Sequence, residues 1–400
     1  MTSIDRRTLG LGVAALGAGL AATSRADLPV ARLPFENGDR PLVRYPQKRP
    51  MIRLTTRPPQ LETPFAVFDE GPLTPNDAFF VRYHLADTPP SVDPATFRLT
   101  VKGEVDRPIE LGLTQLKTLP RQEIIAVCQC SGNSRGFFAP RVAGGQTGNG
   151  MMGSARWAGV SLKSVLDMAG IKAGAVQVRF DGMDGPVMPA TPDFAKALDV
   201  DHARDGEVML AWEMNGAPLP ILNGFPLRLV VPGHFATYWV KHLNEITVLD
   251  APLDNFWMST AYRIPDNDCH CTAPGTPAGK TRPIGRYAIR SFITNLAEGA
   301  KVSSRQPVAV RGIAFDGGAG IAQVQVSPDG GKTWLTAELG PDLGRYALRT
   351  WRHRLHLTPG AATLQVRAMS RSGETQPAEP SWNPSGYMRN VIETVTVEAV

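Results

Sequence analysis

Residues 123–136 read Glu-Ile-Ile-Ala-Val-Cys-Gln-Cys-Ser-Gly-Asn-Ser-Arg-Gly, a strand that runs into a loop. Glu123 to Val127 are mostly apolar and β-branched, the composition of a buried strand. That strand delivers Cys128 and Cys130 into a loop holding Gly132, Asn133 and, five residues after Cys130, Arg135. A guanidinium beside a thiol favours the thiolate, and a glycine lets backbone approach a bulky ligand closely. Taken alone, the stretch fits a small apolar core cysteine with a surface arginine equally well. The rest of the chain has to decide.

Working outward, the 400 residues are 42% hydrophobic and 20% charged, enough for a large core. The length predicts roughly two or three domains. A net charge of +5 is a mild excess and gives no footprint of a nucleic-acid binder. The four cysteines form two Cys-x-Cys pairs, 128/130 and 269/271, and no Cys-x-x-Cys-His occurs, so no haem is expected on this chain. Asp5-Arg6-Arg7-Thr8-Leu9 is a twin-arginine motif, followed by an apolar run to Ala22 that is too short to span a bilayer. Ser24-Arg25-Ala26 offers a cleavage site, so residues 1–26 are expected to be a signal peptide, with an uncleaved anchor the alternative. Removing them takes away one acidic and three basic residues, lowers the charge from +5 to +3 and leaves no membrane span. Twin-arginine export carries folded proteins. It would suit a periplasmic protein that acquires a cofactor before leaving the cytoplasm.

Residues 27–75 are rich in proline and arginine, and are expected to wrap a core rather than build one. Gln60 lies there, among Pro58, Pro59 and Pro64. The run Phe79-Phe80-Val81-Arg82-Tyr83-His84 is expected to be a strand with Phe80, Arg82 and His84 on one face, although a lone histidine is more often structural. Further strands are expected at 97–105, 176–180, 208–212, 227–231 and 238–249, and helices at 113–119 and 161–169. The strand at 176–180 runs into the turn of Asp184; the one at 238–249 would carry Trp239, Val240 and Lys241. Strands and helices mix without a βαβ repeat, so the region 27–283 is α+β, a mixed α/β unit. No Gly-x-Gly-x-x-Gly follows a strand, which argues against a dinucleotide. From residue 284 the texture changes to strands alone, at 308–315, 321–327, 363–368 and 391–397, with Asp329-Gly330-Gly331 as a hairpin turn. Residues 284–400 are therefore expected to be an immunoglobulin-like β-sandwich used for dimerisation.

Four separated motifs, in order, carry a resemblance: Phe80-Val81-Arg82-Tyr83-His84, Cys130-Ser131-Gly132-Asn133-Ser134-Arg135, Ala155-Arg156-Trp157-Ala158-Gly159 and Ser259-Thr260-Ala261-Tyr262-Arg263. Together they resemble the sulfite oxidase family of molybdenum enzymes over nearly the whole mature chain, and most closely the bacterial periplasmic sulfite dehydrogenases. The resemblance implies Mo-molybdopterin, one per chain, with Cys130 as the protein's thiolate ligand. It implies a substrate pocket of Arg82, Arg135 and Tyr262, with Gln60 nearby and Arg389 of Gly386-Tyr387-Met388-Arg389 reaching in. It places the pterin against Arg82, His84, Asp184, Asn223, Arg228, Trp239, Val240 and Lys241. The animal enzymes have a histidine at Asn223, a tryptophan in the stretch of Thr147, and an arginine before the glycine of the last motif. The implied reaction oxidises sulfite to sulfate and passes two electrons to a c-type cytochrome, with the chain in a homodimer or heterodimer.

The residue chemistry agrees. Soft sulfur suits molybdenum, and the planar fork of arginine suits an oxyanion. Tyr262 can donate a hydrogen bond and help move a proton. A methionine-sulfoxide reductase of the same superfamily would share the cysteine but has no need of a cationic pocket. A secreted binding module is the reading from another class, and a cysteine hydrolase lacks a partner histidine pair. Cys269-His270-Cys271 offers too few ligands for zinc and is expected to be a disulfide or two inert thiols.

Overall fold

The computed structural model describes residues 30–32 and 37–400, so the twin-arginine motif and the cleavage site lie outside the described residues. The cysteine-bearing segment is a nine-residue strand, Arg121–Gln129, paired antiparallel with Met152–Ser161. That neighbour continues the sheet through Met209–Met214 to Ala217–Pro218, with Arg228–Val230 also against Met209–Met214. A second sheet runs in the order Ala195–Asp199, Gln177–Gly182, Leu243–Leu249, Arg98–Gly103, Ile109–Gly112, and only its Leu243–Leu249/Arg98–Gly103 pair is parallel. The helix Leu162–Ala169 buries Leu162, Val165, Leu166 and Ala169 on one face, as the apolar spacing predicts. It is the longest helix among the described residues, and none of them is long and apolar enough to cross a membrane.

Met152–Ser161 is missed by sequence reasoning because Gly153, Ser154, Ala155, Ala158 and Gly159 lower its strand propensity. The small residues are a packing requirement. A Cβ on Gly159 would stand 1.8 Å from the Leu210 carbonyl oxygen, and one on Gly153 would stand 2.5 Å from the Phe79 ring. The same strand supplies Trp157, wholly buried, whose indole N–H donates to the Ala126 carbonyl at 3.1 Å.

Three expectations need correction. Residues 30–82 do build something: a five-stranded antiparallel meander of Val30–Arg32, Asp39–Val43, Met51–Thr55, Gln60–Glu62 and Val81–Arg82, with Met51, Leu61, Val81 and Tyr83 as its own small core. The expected strand at 79–84 is paired only at Val81–Arg82, because the meander ends there. The expected strand at 238–249 begins only at Leu243; Ala236–Tyr238 is a 3-10 turn and His242 takes a left-handed φ of 50°. Trp239, Val240 and Lys241 therefore sit on a connection, where alternation along a strand does not dictate their directions.

The C-terminal region is the expected sandwich. One sheet runs Arg290–Ile293, Val308–Phe315, Arg349–Leu355, Glu338–Leu339; the other runs Ala300–Val302, Glu393–Ala399, Gly360–Ser370, Ile321–Ser327, Leu335–Thr336. Its own core holds Val310, Val324, Trp351, Leu364 and Val366. Phe292, Ile313, Phe315, Tyr346 and Leu348 instead join the main core of the preceding region, so the two share an apolar cluster. Among the described residues, Arg121–Gln129 pairs with a strand on one side only. On its open side the Val127 N–H donates to the Tyr346 carbonyl at 2.9 Å, and the Val127 carbonyl accepts from the Tyr287 hydroxyl at 3.3 Å.

Candidate active site

Residues two apart on a strand point the same way, and Cys128 and Cys130 both enter one cleft at the end of Arg121–Gln129. They are not equivalent there. Cys128 is buried, its thiol pushed up to about 12 by burial, with an Arg228 guanidinium nitrogen at 3.9 Å. Cys130 is only half-buried, and its backbone is pinned by the Met151 carbonyl at 2.9 Å and by the Asn133 N–H at 3.0 Å. The more accessible thiol is thus held on a backbone fixed at both its N–H and its carbonyl.

Arg82 and His84 line the cleft together with Phe80, and Phe79 lines it too, so the cleft wall does not follow a strict alternation. Arg82 and His84 both reach Tyr262. The His84 Nε2 contacts the phenol oxygen, and an Arg82 nitrogen lies 3.4 Å from it. Burial holds the His84 imidazole well below its usual value and raises the Tyr262 phenol, so both stay neutral near pH 7. Tyr262 adopts a left-handed φ of 57° just before the strand Arg263–Pro265, a costly conformation for a side-chain-bearing residue that aims the ring inward. Behind it the Tyr387 ring stacks at 5.4 Å, and the Arg135 guanidinium sits 5.0 Å from the Tyr387 centroid.

Arg135 therefore reaches the cleft's outer aromatic wall. A Cβ added at Gly132, Gly144 or Gly386 would come within 3.0 Å of its side chain, so three bare backbones clasp it, and one nitrogen donates to the Ser385 carbonyl at 3.2 Å. Gln60 stands opposite Arg82 in the meander register rather than on the cleft wall. Arg389 is not brought to the cleft. Its guanidinium pairs with Glu393 at 2.6 Å and lies over the Phe137 ring, and the same Glu393 carboxylate holds the buried Arg290 at 2.7 Å. Arg290 in turn donates to Ser134 of the cysteine loop at 3.1 Å.

The inner end of the cleft is cationic. Arg228 lies between Trp157 and Trp239, 4.8 and 5.7 Å from their centroids, and donates to the Asn223 carbonyl at 3.0 Å. Lys241 lies over the Tyr83 ring with the Leu222 carbonyl at 3.4 Å, and burial pulls its ammonium strongly toward neutrality while Asp184 opposes that. Asp184 is raised by its own burial. Val240 is buried, its carbonyl accepting from the Leu229 N–H at 2.8 Å, and it does not line the cleft. Asn223 lines the cleft, but its amide is spoken for: Oδ1 accepts from Lys48 at 2.6 Å and Nδ2 donates to the Phe80 carbonyl at 3.0 Å. Thr147 faces away, its hydroxyl donating to the Gly132 carbonyl at 2.6 Å.

Three residues here were not read from the sequence, and two of them carry no signal in it. Lys48, in the proline-rich segment, is pulled down to about 7 by burial and binds three acceptors in a pocket assembled from distant segments. Glu62 accepts from the Gly148 and Gly150 N–H groups at 3.0 and 2.8 Å and so fixes the loop beside the cysteine turn. Lys196 could have been noticed, as a lysine inside the apolar run Phe194–Leu198; it donates to the Trp257 carbonyl at 2.6 Å, under Tyr262.

Glu62 yields a pH prediction. Burial raises its carboxyl to about 7 from an ordinary 4.5. The folded state thus holds this proton more tightly than the unfolded chain. Its stabilising effect is complete below about 4.5 and is lost as the pH rises through about 7. Denaturation midpoints measured across this window should fall with rising pH in the native chain and flatten in Glu62→Gln; an unchanged slope refutes the assignment.

A polar, anionic cofactor fits this cleft on the structure's own terms. The Arg228 Nε and Thr237 Oγ1 are buried there without a partner among the described residues, and unpaired buried donors are costly. An anion beside Arg228 and Lys241 would offset the burial that disfavours their charges. The half-buried thiol supplies the soft donor that molybdenum takes.

Comparison with known proteins decides the lineage. Residues 85–257 match the oxidoreductase molybdopterin binding domain and residues 281–399 the Mo-co oxidoreductase dimerisation domain. Mitochondrial sulfite oxidase of Rattus norvegicus is 33% identical over 392 residues, 92% of this chain and 69% of that protein. The chain belongs to the sulfite oxidase family. Sulfite oxidase of Gallus gallus is 32% identical over 366 residues, 87% of this chain and 78% of its own. The sulfane dehydrogenase SoxCD of Paracoccus pantotrophus has the same fold, with a TM-score of 0.74 and 24% identity over 98% of this chain and 93% of that one. As a family member the chain is a molybdopterin oxidoreductase, with the catalytic fold followed by its dimerisation sandwich.

Proposed function

We propose that the protein oxidises sulfite to sulfate in the periplasm and passes the electrons to a c-type cytochrome. The carrying observation is the convergence of Arg82, His84 and Tyr262 at the cleft that holds the Cys130 thiol. Molybdopterin, when bound, supplies the oxygen transfer and the two-electron redox chemistry. Arg228 and Lys241 would hold its anionic end, Trp239 would border the pterin, and Cys130 would be the metal's protein ligand. Arg82 presents charge to the small dianion and Tyr262 a phenol kept protonated by burial, able to donate to the anion and return a proton. Arg135, locked among glycines, positions Tyr387 behind Tyr262.

Molybdenum content, measured together with sulfite-dependent reduction of cytochrome c, tests this reading; a metal-free chain, or one inert toward sulfite, refutes it. A bare binding module would carry no molybdenum. Arg82→Gln removes one charge-assisted contact worth about 1.5–3 kcal/mol, so the sulfite KM should rise by about one to two decades. If KM stays within about twofold of wild type while methionine sulfoxide is reduced efficiently, the reductase reading replaces this one. Export is tested separately. Arg6→Lys with Arg7→Lys should leave the folded precursor in the cytoplasm, and mature active protein in the periplasm of that variant would exclude the twin-arginine route.

A further inference from the structure

Seven residues beyond Tyr262 the chain reaches Cys269-His270-Cys271, where a disulfide joins the two cysteines. We propose that this disulfide is a thiol–disulfide exchange site for a dithiol, and that its state sets how residues 381–390 bear on Tyr262. As a staple it does little. The stabilisation a cross-link gives grows with the loop it closes, and this one closes three residues.

Its surroundings favour exchange. Cys269 is exposed and Cys271 half-buried, so an incoming thiolate meets the Cys269 sulfur and Cys271 leaves. An Arg282 guanidinium lies 2.8 Å from the imidazole of the intervening His270, so a cation stands beside the residue that separates the two sulfurs. The Asn267 side chain braces the turn independently, accepting from the Cys271 N–H at 3.1 Å and donating to the Cys271 carbonyl at 2.9 Å. With that brace the opened thiols stay adjacent and can reclose.

The chemistry balances as a two-electron exchange. The dithiol's first thiolate bonds to the Cys269 sulfur as the Cys269–Cys271 bond breaks, and Cys271 takes a proton. The dithiol's second thiol then displaces Cys269, which also ends protonated, and the dithiol leaves as its disulfide.

The loop touches the segments that carry Tyr262 and the Tyr387 ring stacked behind it. His270 Nδ1 lies 3.4 Å from the carbonyl of Pro265, on the strand that follows Tyr262. The Thr272 N–H donates to the Trp382 carbonyl at 2.9 Å, and Cys269 and His270 share a surface hollow with Asn383 and Met388. The Met388 N–H donates to the Ser131 carbonyl of the cysteine loop at 3.1 Å, next to Tyr387 on Tyr262. Opening the disulfide therefore slackens a contact two steps from the site.

The test needs no sulfite turnover and so stands apart from the proposed activity. The full chain is treated with dithiothreitol, alkylated and mapped by mass, with amide exchange followed in parallel. Cys269 and Cys271 should become labelled while the protein stays folded, at least about tenfold faster than buried Cys128, and exchange within 381–390 should quicken. Cys271→Ser should trap a mixed disulfide on Cys269 with oxidised glutathione, whose leaving thiol cannot reclose on the adduct. The proposal is overturned if the untreated protein already carries both thiols free, if the bond opens only in denaturant, if Cys271→Ser traps nothing, or if 381–390 exchanges at the same rate in both states.

Discussion

Cys130→Ser should abolish turnover while leaving the fold intact. The side chain is half-buried and nearly isosteric with serine, and the backbone bonds to Met151 and Asn133 do not involve sulfur. What is lost is the soft donor, so the fall in activity should exceed the 10–100-fold, roughly, that substitutions around a metal's ligands produce. Cys128→Ser separates the two thiols. Its sulfur is buried and stays protonated, so the change should cost stability through the Arg228 contact more than turnover. Metal analysis beside steady-state sulfite oxidation decides the matter: normal molybdenum with normal rate in Cys130→Ser would remove that residue as ligand.

Glu393→Gln should be the most destabilising single change at the junction of the two regions. Glu393 neutralises Arg290 and Arg389 together, and the Arg290 side chain is 2% exposed. Removing the shared carboxylate leaves the buried Arg290 and the half-buried Arg389 without a counter-charge, a loss of about 3–5 kcal/mol in comparable buried pairs. Because Arg290 also holds Ser134, the cysteine loop should loosen with it. Urea unfolding gives the number. A loss under about 1 kcal/mol would mean that the pair is solvated and does not fasten the two regions.

Legibility in the sequence followed physical range. The strand to Gln129, the helix Leu162–Ala169 and four of the sandwich strands, Val308–Phe315, Ile321–Ser327, Gly360–Ser370 and Glu393–Ala399, declare themselves through neighbours two to four residues apart, where periodicity operates. Met152–Ser161 was hidden because its small residues answer to Leu210 and Phe79, distant partners that no local window contains. The break at His242 depends on one left-handed residue inside a stretch whose composition otherwise suits a strand. Cys130, Arg82, His84 and Tyr262 were reachable through motif resemblance, and the structure brings them to one cleft. Arg389 was not resolvable that way, since only the fold reveals that Glu393 competes for it. Lys48 and Glu62 are polar residues whose burial is created by segments far away in the chain.

The strand that ends at the cysteines is an edge, and its companions govern how this chain can be handled. Residues Tyr287 and Tyr346 occupy the outward carbonyl and N–H of Val127, while Arg121 and Glu123 place charges farther along the same border. Charges and covering loops are how sheets avoid recruiting strange strands. A fragment ending before residue 281 would lose the cover and keep the uncapped border, apolar at Ile124 to Val127. Such a fragment should precipitate or pair with itself through that border, so solubility in this protein is a property of its second half.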